Sequence, residues 1–230
     1  MTVAISQLRY LPNLNYMQRI YLSDVFVLMS ELPVHRRDYE NRNDILFGSS
    51  IKKITIPICS EKSAPARNTR ICDGFTFSSH YDALKNAYMS YPYFDEGILN
   101  EAFNGVDCCG YFPSVMTMLQ NAAKILEIDA NFQYEPVGFK LKGDERLYEL
   151  CEMYGADIYI SGVFGAKYIK NERIPTIYHV SFAGTDYARF TYLHHIFDSG
   201  LDRVRNMVKS RIDLRTRSEI EKGFDSCRTS

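Results

Sequence analysis

Residues 3–29 read VAISQLRYLPNLNYMQRIYLSDVFVLM, and their pattern predicts two parallel strands joined by a short helix. VAISQ at 3–7 alternates as a strand does, and DVFVLM at 24–29 is a short apolar run of the kind found in buried strands. NYMQRIYLS at 15–23 lies between them and has the spacing of one helical face. Strand, helix and strand in this order form a right-handed βαβ unit, so the two strands should be parallel.

The rest of the chain continues to alternate strands with helices, which predicts an α/β fold. We expect a Rossmann-like, mainly parallel sheet flanked by helices, with a helical segment in the middle of the chain at 79–126. Residues 1–209 should form a single catalytic domain, and 210–230 a charged tail that frays. Further strands are predicted at 51–58, 130–136, 158–162 and 176–182, a flexible loop at 59–70, and helices at 79–91, 94–106, 113–126, 144–157 and 190–209, the last with a break at Gly200.

The composition is that of a globular protein without a global charge bias. The 230 residues are 46% hydrophobic, with 17 Tyr, 14 Phe and no Trp, which is enough apolar material for a sizeable core. The formal net charge is -1, so neither nucleic acid nor a membrane surface is an expected partner. No apolar run is long enough to span a bilayer, and MTVAISQ at the N-terminus lacks the pattern of a secretory signal. We therefore expect a cytoplasmic protein.

The cysteines fit a reducing compartment. Cys108 and Cys109 are adjacent, so they form either a strained vicinal disulfide or two reduced thiols near a turn, and the compartment favours the thiols. No Cys-x-x-Cys or His-Glu-x-x-His pattern occurs, so no metal site is expected. The six cysteines are at 59, 72, 108, 109, 151 and 227.

Three polar segments follow predicted strands and should meet at one edge of the sheet. In open α/β sheets, ligands bind beyond the carboxyl ends of the strands. The segments are Gln7 to Tyr16 after the first strand, the loop at 31–43 after the second, and Ser161–Gly162 after IYISG. Their convergence is the main structural reason to expect a binding site there.

The loop after the second strand contains HRRDYENRN at 35–43, which is either a solvated polar loop or the rim of a site. Arginine binds carboxylate or phosphate with paired donors, and asparagine suits amides, sugars and nucleobases. If Asn41-Arg42-Asn43 is extended, Asn41 and Asn43 share one face and Arg42 the other.

ISGVFGAKYI at 160–169, with Ser161-Gly162 near its start, is a second candidate. Small residues after a strand leave backbone N–H groups open to an anion, but the Gly-Lys-Ser/Thr of a nucleoside-triphosphate loop is absent. An ordinary strand-to-helix turn remains an equal alternative. Among the five histidines, His80 at the start of the 79–91 helix is the candidate general base.

Six segments together resemble the WbqC-like family of bacterial proteins, over most of residues 3–200. The resemblance is most specific in the first 45 residues. The segments are AISQLRYLPNLNYMQRIYLSDVFVLM, RRDYENRN, ITIPI, SHYDALKNAYMSYPYF, DIYISGVFGAKYI and LHHIFDSG. The matching positions are Gln7, Tyr10, Pro12, Tyr16, Ser23, Asp24, Arg37, Tyr39, Asn41, Arg42, Asn43, His80, Tyr88, Pro92, Tyr93, Phe94, Ser161, Gly162, Tyr168, Asp198 and Gly200.

The resemblance implies a transferase that moves glycine or another aminoacyl group to sugars or related amines, in surface-polysaccharide or specialised-metabolite biosynthesis. The chain departs from the family pattern at three places. Leu8 stands where members usually have Pro, Asn15 stands where a Gly is common, and residues 179–189 lack the late His-Pro-x-Tyr-x-Gln signature. These departures put the substrate in question.

We therefore predict transfer of an aminoacyl or acyl group from an activated donor to a small amine or sugar acceptor, without a cofactor. His80 would be the base, and the substrate-binding residues would be Gln7, Tyr10, Tyr16, Arg37, Tyr39, Asn41, Arg42, Asn43, Ser161, Gly162 and Tyr168. An acyl carrier protein is an expected partner if the donor is a thioester. Two rivals stay open: a cysteine-dependent acyltransferase or amidase with Cys108 or Cys109 as nucleophile, and a non-catalytic module that binds a nucleotide-sugar or amino acid.

Overall fold

The computed structural model describes residues 1–169 and 173–226, which contain a six-stranded sheet and a separate two-stranded hairpin. The strands are β1 (Thr2–Ser6), β2 (Val25–Leu28), β3 (Arg42–Phe47), β4 (Ser50–Thr55), β5 (Phe132–Tyr134), β6 (Ile158–Gly162), β7 (Thr176–His179) and β8 (Leu214–Arg215). The order in the large sheet is β5-β2-β1-β6-β7-β8, and only β8 is antiparallel to its neighbour.

The predicted βαβ unit is confirmed. β1 and β2 pair in parallel, with Val3 opposite Val25 and Ser6 opposite Leu28, and one helix connects them. The helices of the described residues are α1 (Leu14–Tyr21), α2 (Ser78–Tyr88), α3 (Glu96–Phe103), α4 (Tyr111–Ile125), α5 (Gly143–Met153), α6 (Tyr192–Ser199), α7 (Leu201–Ser210) and α8 (Arg217–Ser226).

The sheet separates two apolar clusters, one on each face. Ala4 and Phe26 pack into the larger cluster with residues of α1, the helical segment α2–α4, α6 and α7. Val3 and Val25, which alternate with them along the same strands, pack into a smaller cluster with α5 and Ile220 of α8. Strands that are covered on both faces need apolar side chains at successive positions, which is why VAIS and VFVL read as continuous apolar runs. The predicted α/β, Rossmann-like class is therefore confirmed.

The region between β2 and α2 differs from the expectation. The strand predicted at 51–58 is β4. It pairs with β3, which was not predicted because the sequence of β3 begins with polar residues. The flexible loop expected at 59–70 contains a 3₁₀ turn at Ala66–Asn68 and is closed by a disulfide between Cys59 and Cys72. Two cysteines thirteen residues apart carry no recognisable spacing signal, so this pair was not predicted.

The C-terminal region also differs from the expectation. The helix predicted at 190–209 is broken at Gly200, where φ is 92° and α6 ends, as expected. The tail that should fray from 210 instead contains β8 and α8. β8 extends the sheet because His179 pairs with Leu214, and Ile220 is buried against the small cluster, although the high charge of this segment suggested a solvated end. Cys227 and the rest of 227–230 lie outside the described residues.

Over the described part of the chain, no helix combines the length and the apolar character that a membrane crossing requires.

Buried histidines lie on β7, α6 and α2. Burial lowers the pKa of His179 and of His195 to about 3, and that of His80 to about 4. Each imidazole is therefore neutral in the folded protein across the neutral pH range.

We expect the free energy of unfolding to fall as the pH drops from about 6.5, the ordinary histidine pKa, towards 3. In that window the unfolded chain binds protons that the folded protein rejects, so each such histidine removes about 1.4 kcal/mol per pH unit. Urea denaturation at several pH values measures the slope. His195→Asn should flatten it, whereas His35→Asn, at an exposed position, should not. Equal slopes for His195→Asn and the parent would contradict the assignment.

Candidate functional site

A cavity of about 580 Å³ opens at the carboxyl ends of β1 and β6, beside the N-terminus of α1. Its size is within the range of small-molecule sites. The residues that line it are Ile5, Ser6, Gln7, Arg9, Asn13, Asn15, Tyr16, Arg19, Met29, Asp38, Tyr39, Leu147, Tyr159, Ser161, Gly162, Val163, Phe164, Gly165, Tyr168, Ala183, Gly184, Thr185, Ala188 and Arg189.

All three predicted polar segments contribute to this cavity. Gln7 and Tyr16 come from the segment after β1, Tyr39 comes from the 31–43 loop, and Ser161 and Gly162 come from the end of β6. The predicted residues that line the cavity are Gln7, Tyr16, Tyr39, Ser161, Gly162 and Tyr168, whereas Tyr10, Arg37, Asn41, Arg42, Asn43 and His80 do not.

Arg19 is a charged residue of the cavity wall that sequence reasoning missed. It lies one turn after Tyr16 on α1, its guanidinium donates to Ser6 Oγ at 3.2 Å, and it stacks 5.5 Å from the Tyr16 ring centroid. Burial lowers its pKa. Among the described residues it forms no ion pair with a carboxylate. On a short amphipathic helix such an arginine resembles any residue of a solvated face, so only the position of the cavity identifies it.

Further polar side chains surround Arg19. Arg9 lies over the Tyr39 ring, 5.7 Å from its centroid, and likewise forms no ion pair within the described residues. Asn15 Oδ1 is buried and has no hydrogen-bond donor. Asn15 was noted only as a departure from the family pattern, and Arg9 gave no signal at all.

The loop between β1 and α1 is fixed by hydrogen bonds within itself. Asn13 caps α1, since its Oδ1 accepts from Tyr16 N at 2.9 Å, and the Tyr16 hydroxyl donates to Gln7 O at 2.9 Å. Leu11 has a φ of 45°, a left-handed conformation that few non-glycine residues adopt. These contacts therefore fix the orientation of the N-terminus of α1 at the cavity.

The turn after β6 approaches the sheet so closely that it requires a glycine. A Cβ on Gly165 would lie 1.9 Å from Ser161 Oγ, which no real structure permits. Ser161 and Gly165 both line the cavity. Phe164 and Tyr168 follow on the cavity rim and are exposed, Phe164 by 71%. Exposed aromatic rings at a cavity mouth can stack on a flat ligand.

Asn41 and Asn43, predicted to orient a ligand, instead hold the loops around the cavity. Asn43 Nδ2 donates to Tyr10 O at 3.2 Å and also to Leu11 O, and Asn41 Nδ2 donates to Ile56 O at 3.0 Å. Both are buried. The alternation of Asn41 and Asn43 against Arg42 is as expected for a strand start, but the shared face points into the protein.

His80, the predicted base, lies among aromatic rings away from the cavity. The Tyr10 hydroxyl is 2.7 Å from His80 Nδ1, and the imidazole also bonds to the backbone of Thr55. Phe75 packs edge-on against the ring, with centroids 4.9 Å apart. Such contacts with the protein itself are typical of a structural histidine.

Cys108 and Cys109 are free, exposed thiols in the loop before α4, and neither lines the cavity. A hydrogen bond to the Asp107 carboxylate raises the pKa of the Cys109 thiol, and the negative charge of that carboxylate adds to the effect. A nucleophilic cysteine needs the opposite effect. Within the described residues, no group of three His, Cys, Asp or Glu side chains could hold a metal ion.

Arg37 and Arg42 line a smaller cleft of about 120 Å³, together with Asn43, Asp44 and Lys53. Asp38 and Tyr39 line both the cleft and the cavity, so these two residues separate the two spaces. Arg37 has a φ of 73°, and Asn41 Oδ1 supports this conformation by accepting from Arg37 N at 3.2 Å. The arginines predicted as anion ligands thus lie beside the cavity rather than in it.

These features define an α/β protein with a polar, cationic cavity at the carboxyl edge of a parallel sheet. The model of the WbqC-like protein family matches residues 7–201, and the chain belongs to that family. The chain is also similar to the uncharacterized protein Rv1507c of Mycobacterium tuberculosis (strain ATCC 25618 / H37Rv), with 27% identity over 192 residues that cover 75% of this chain and 76% of the relative. No solved structure matches the chain at a significant level.

Asn43→Ala should lower the free energy of unfolding by about 1–3 kcal/mol, because two buried carbonyls lose their donor. Asn86→Ala, at an exposed position on α2, is the matched control and should change stability by less than about 0.5 kcal/mol. Urea denaturation measures both. Equal stability of the two variants would show that the Asn43 amide does not hold the loop.

Proposed function

We propose that the protein transfers an aminoacyl or acyl group from an activated donor to a small amine or sugar acceptor, and that the cavity beside Arg19 is the site. The observation that carries the proposal is the pair of cavity arginines, Arg19 and Arg9, without a carboxylate partner among the described residues. Removing a charge from bulk water is unfavourable unless an opposite charge compensates it. An anionic ligand group in the cavity supplies that compensation.

The neutral polar groups of the cavity indicate what the rest of the ligand carries. Asn15 Oδ1 needs a donor, which an amine or a hydroxyl provides. Gln7 and Ser161 add groups that both donate and accept. An amino acid or an amino sugar offers this combination of a negative group with N–H and O–H donors.

The chemistry requires a proton acceptor and donors for a developing oxyanion. The amine nitrogen attacks the donor carbonyl, forms the C–N bond and releases the leaving group, which is a thiolate if the donor is a thioester. The cavity guanidinium groups are the donors available to the carbonyl oxygen. Asp38 is the one carboxylate among the lining residues, so we assign it, in place of His80, to accept the amine proton and return it to the thiolate.

A thioester on a carrier protein remains the donor we propose, since the sequence has no nucleoside-triphosphate loop. The cavity opens to solvent past Phe164 and Tyr168, which are both exposed. A donor attached to a carrier protein reaches an open cavity of this kind without entering whole.

A second candidate function is binding without chemistry, in a protein that recognises an amino acid or a nucleotide-sugar. It is favoured by the absence of His, Cys, Lys and Glu from the described lining of the cavity. The two candidates differ in product formation. Mass spectrometry of mixtures of a glycyl thioester with amines and amino sugars detects an amide product only if transfer occurs, and ligand-induced stabilisation without product favours binding alone.

Arg19→Gln should weaken glycine binding by about 1.5–3 kcal/mol, roughly 10- to 150-fold, because a charge-assisted hydrogen bond is lost. Isothermal titration calorimetry measures the affinity. Arg203→Gln removes the same charge from an exposed site on α7 and should leave the affinity unchanged. Comparable affinity in Arg19→Gln and the parent would remove the basis of the proposal.

Asp38→Asn should reduce kcat by about 10²–10⁴-fold with little change in glycine affinity, because it removes the proton acceptor and keeps the shape of the side chain.

The double variant Cys108→Ser/Cys109→Ser should keep full turnover and form no acyl-enzyme adduct. Loss of turnover in the cysteine variant, together with a covalent adduct in the parent, would instead establish the cysteine-dependent rival.

A further inference from the structure

We propose that the cleft of Arg37, Arg42 and Lys53 is a second anion subsite, which binds the phosphate or diphosphate group of the donor while its acyl end occupies the cavity. That the bound anion belongs to the acyl donor rests on the proposed function. That an anion binds here at all rests on the cleft itself, which is lined by three cationic side chains.

The cleft is built by the hairpin and the preceding loop. Arg42 and Asp44 are two residues apart on β3, so their side chains lie on the same face. Lys53 on β4 is the cross-strand partner of Asp44. Arg42 forms no ion pair within the described residues, and neither does Arg37. Two guanidinium groups on one small concave surface match the geometry of a tetrahedral phosphate, which accepts paired hydrogen bonds.

The local backbone holds Arg37 in an uncommon conformation. Its φ of 73° lies in the left-handed region, which is unfavourable for a non-glycine residue, and Asn41 Oδ1 fixes it there. Such conformations persist where the surrounding structure enforces them, and they occur often at ligand sites. Here the conformation sets the direction in which the Arg37 side chain leaves the loop at the cleft.

Cleft and cavity are adjoining parts of one cationic zone. Asp38 and Tyr39 line both, and the buried Asp44 bonds to Lys53 in the cleft and, at 3.4 Å, to Arg189 at the cavity. Together the two spaces present six cationic side chains against two carboxylates, in a chain whose net charge is -1. The six are Arg9, Arg19, Arg37, Arg42, Lys53 and Arg189. A single carboxylate ligand in the cavity leaves Arg37 and Arg42 of the cleft without an anion, whereas a donor that also carries a phosphate engages both spaces.

Inorganic pyrophosphate and glycine, titrated separately by calorimetry, distinguish the two spaces. Arg42→Gln and Arg37→Gln should each weaken pyrophosphate binding by tenfold or more while leaving glycine affinity unchanged, and Arg19→Gln should show the opposite pattern. Arg203→Gln is the control for lost charge. The subsite is refuted if pyrophosphate does not bind at millimolar concentration, or if its affinity depends on Arg19 and not on Arg37 or Arg42.

Side-chain NMR of the unmodified protein supplies a measurement that does not depend on variant folding. Pyrophosphate should shift the Nε–H signals of Arg37 and Arg42, and glycine should shift that of Arg19. A pyrophosphate shift confined to Arg9 and Arg19 places the anion in the cavity and overturns the proposal.

Transfer kinetics test the link between subsite and donor. Arg42→Gln should raise KM about tenfold for a glycyl thioester of phosphopantetheine and leave KM unchanged for the glycyl thioester of N-acetylcysteamine, which has no phosphate. Equal effects on both donors would reject a phosphate-binding role in the reaction. If no transfer occurs with either donor, the proposed function fails, whereas the pyrophosphate measurements still decide whether the subsite exists.

Discussion

The hydrogen bonds from the Asn43 amide to the carbonyls of Tyr10 and Leu11 are the constraint on which the geometry of this site depends. Leu11 occupies a left-handed conformation that is unfavourable on its own, and these bonds satisfy its carbonyl in that conformation. The Tyr10 N–H donates to Tyr39 O at 3.0 Å, so the loop after β1 and the loop before β3 are joined by backbone as well as side chain. One loop carries α1 and Arg19, and the other carries Tyr39 and Arg37. Asn43, which also lines the cleft, therefore sets the position of the cavity loop relative to the cleft.

The fold could be predicted from the sequence where burial imposes a pattern. VAIS and VFVL are apolar at successive positions because helices cover both faces of their strands. The break at Gly200 was predictable because glycine readily adopts a positive φ, and its φ of 92° ends α6. β3 was not predicted because its first residues are polar, although its partner β4 follows after a turn of only two residues. β8 and α8 were not predicted because they pack against β7 and the small apolar cluster, whose other residues lie far from them in the chain. Leu214 of the tail has a strand partner only because His179 ends β7 beside it. The charge and polarity of these segments suggest exposure to solvent, but pairing with other strands and packing against the core determine their structure.

The candidate site divides along the same line. The carboxyl edge of the sheet was predictable, since the topology of parallel strands alone brings the ends of β1 and β6 together. Individual roles were not. Asn41 and Asn43 donate hydrogen bonds to buried carbonyls, and His80 bonds to the Tyr10 hydroxyl. In the sequence, Arg19 looks like a surface residue of α1. Residue type cannot distinguish a side chain that satisfies the protein from one that awaits a ligand; only the count of its partners can.

That count also bears on selectivity. A buried acceptor that the protein leaves without a donor, as it does Asn15 Oδ1, favours a ligand that brings an N–H or O–H group and penalises one that does not. Sites of this kind reject analogues that lack the required donor far more strongly than apolar pockets reject a missing methylene. Asn15 lies in the first turn of α1, where a glycine would provide no such acceptor. In the function we propose, Arg19 therefore attracts the anion and Asn15 selects among the anions that enter.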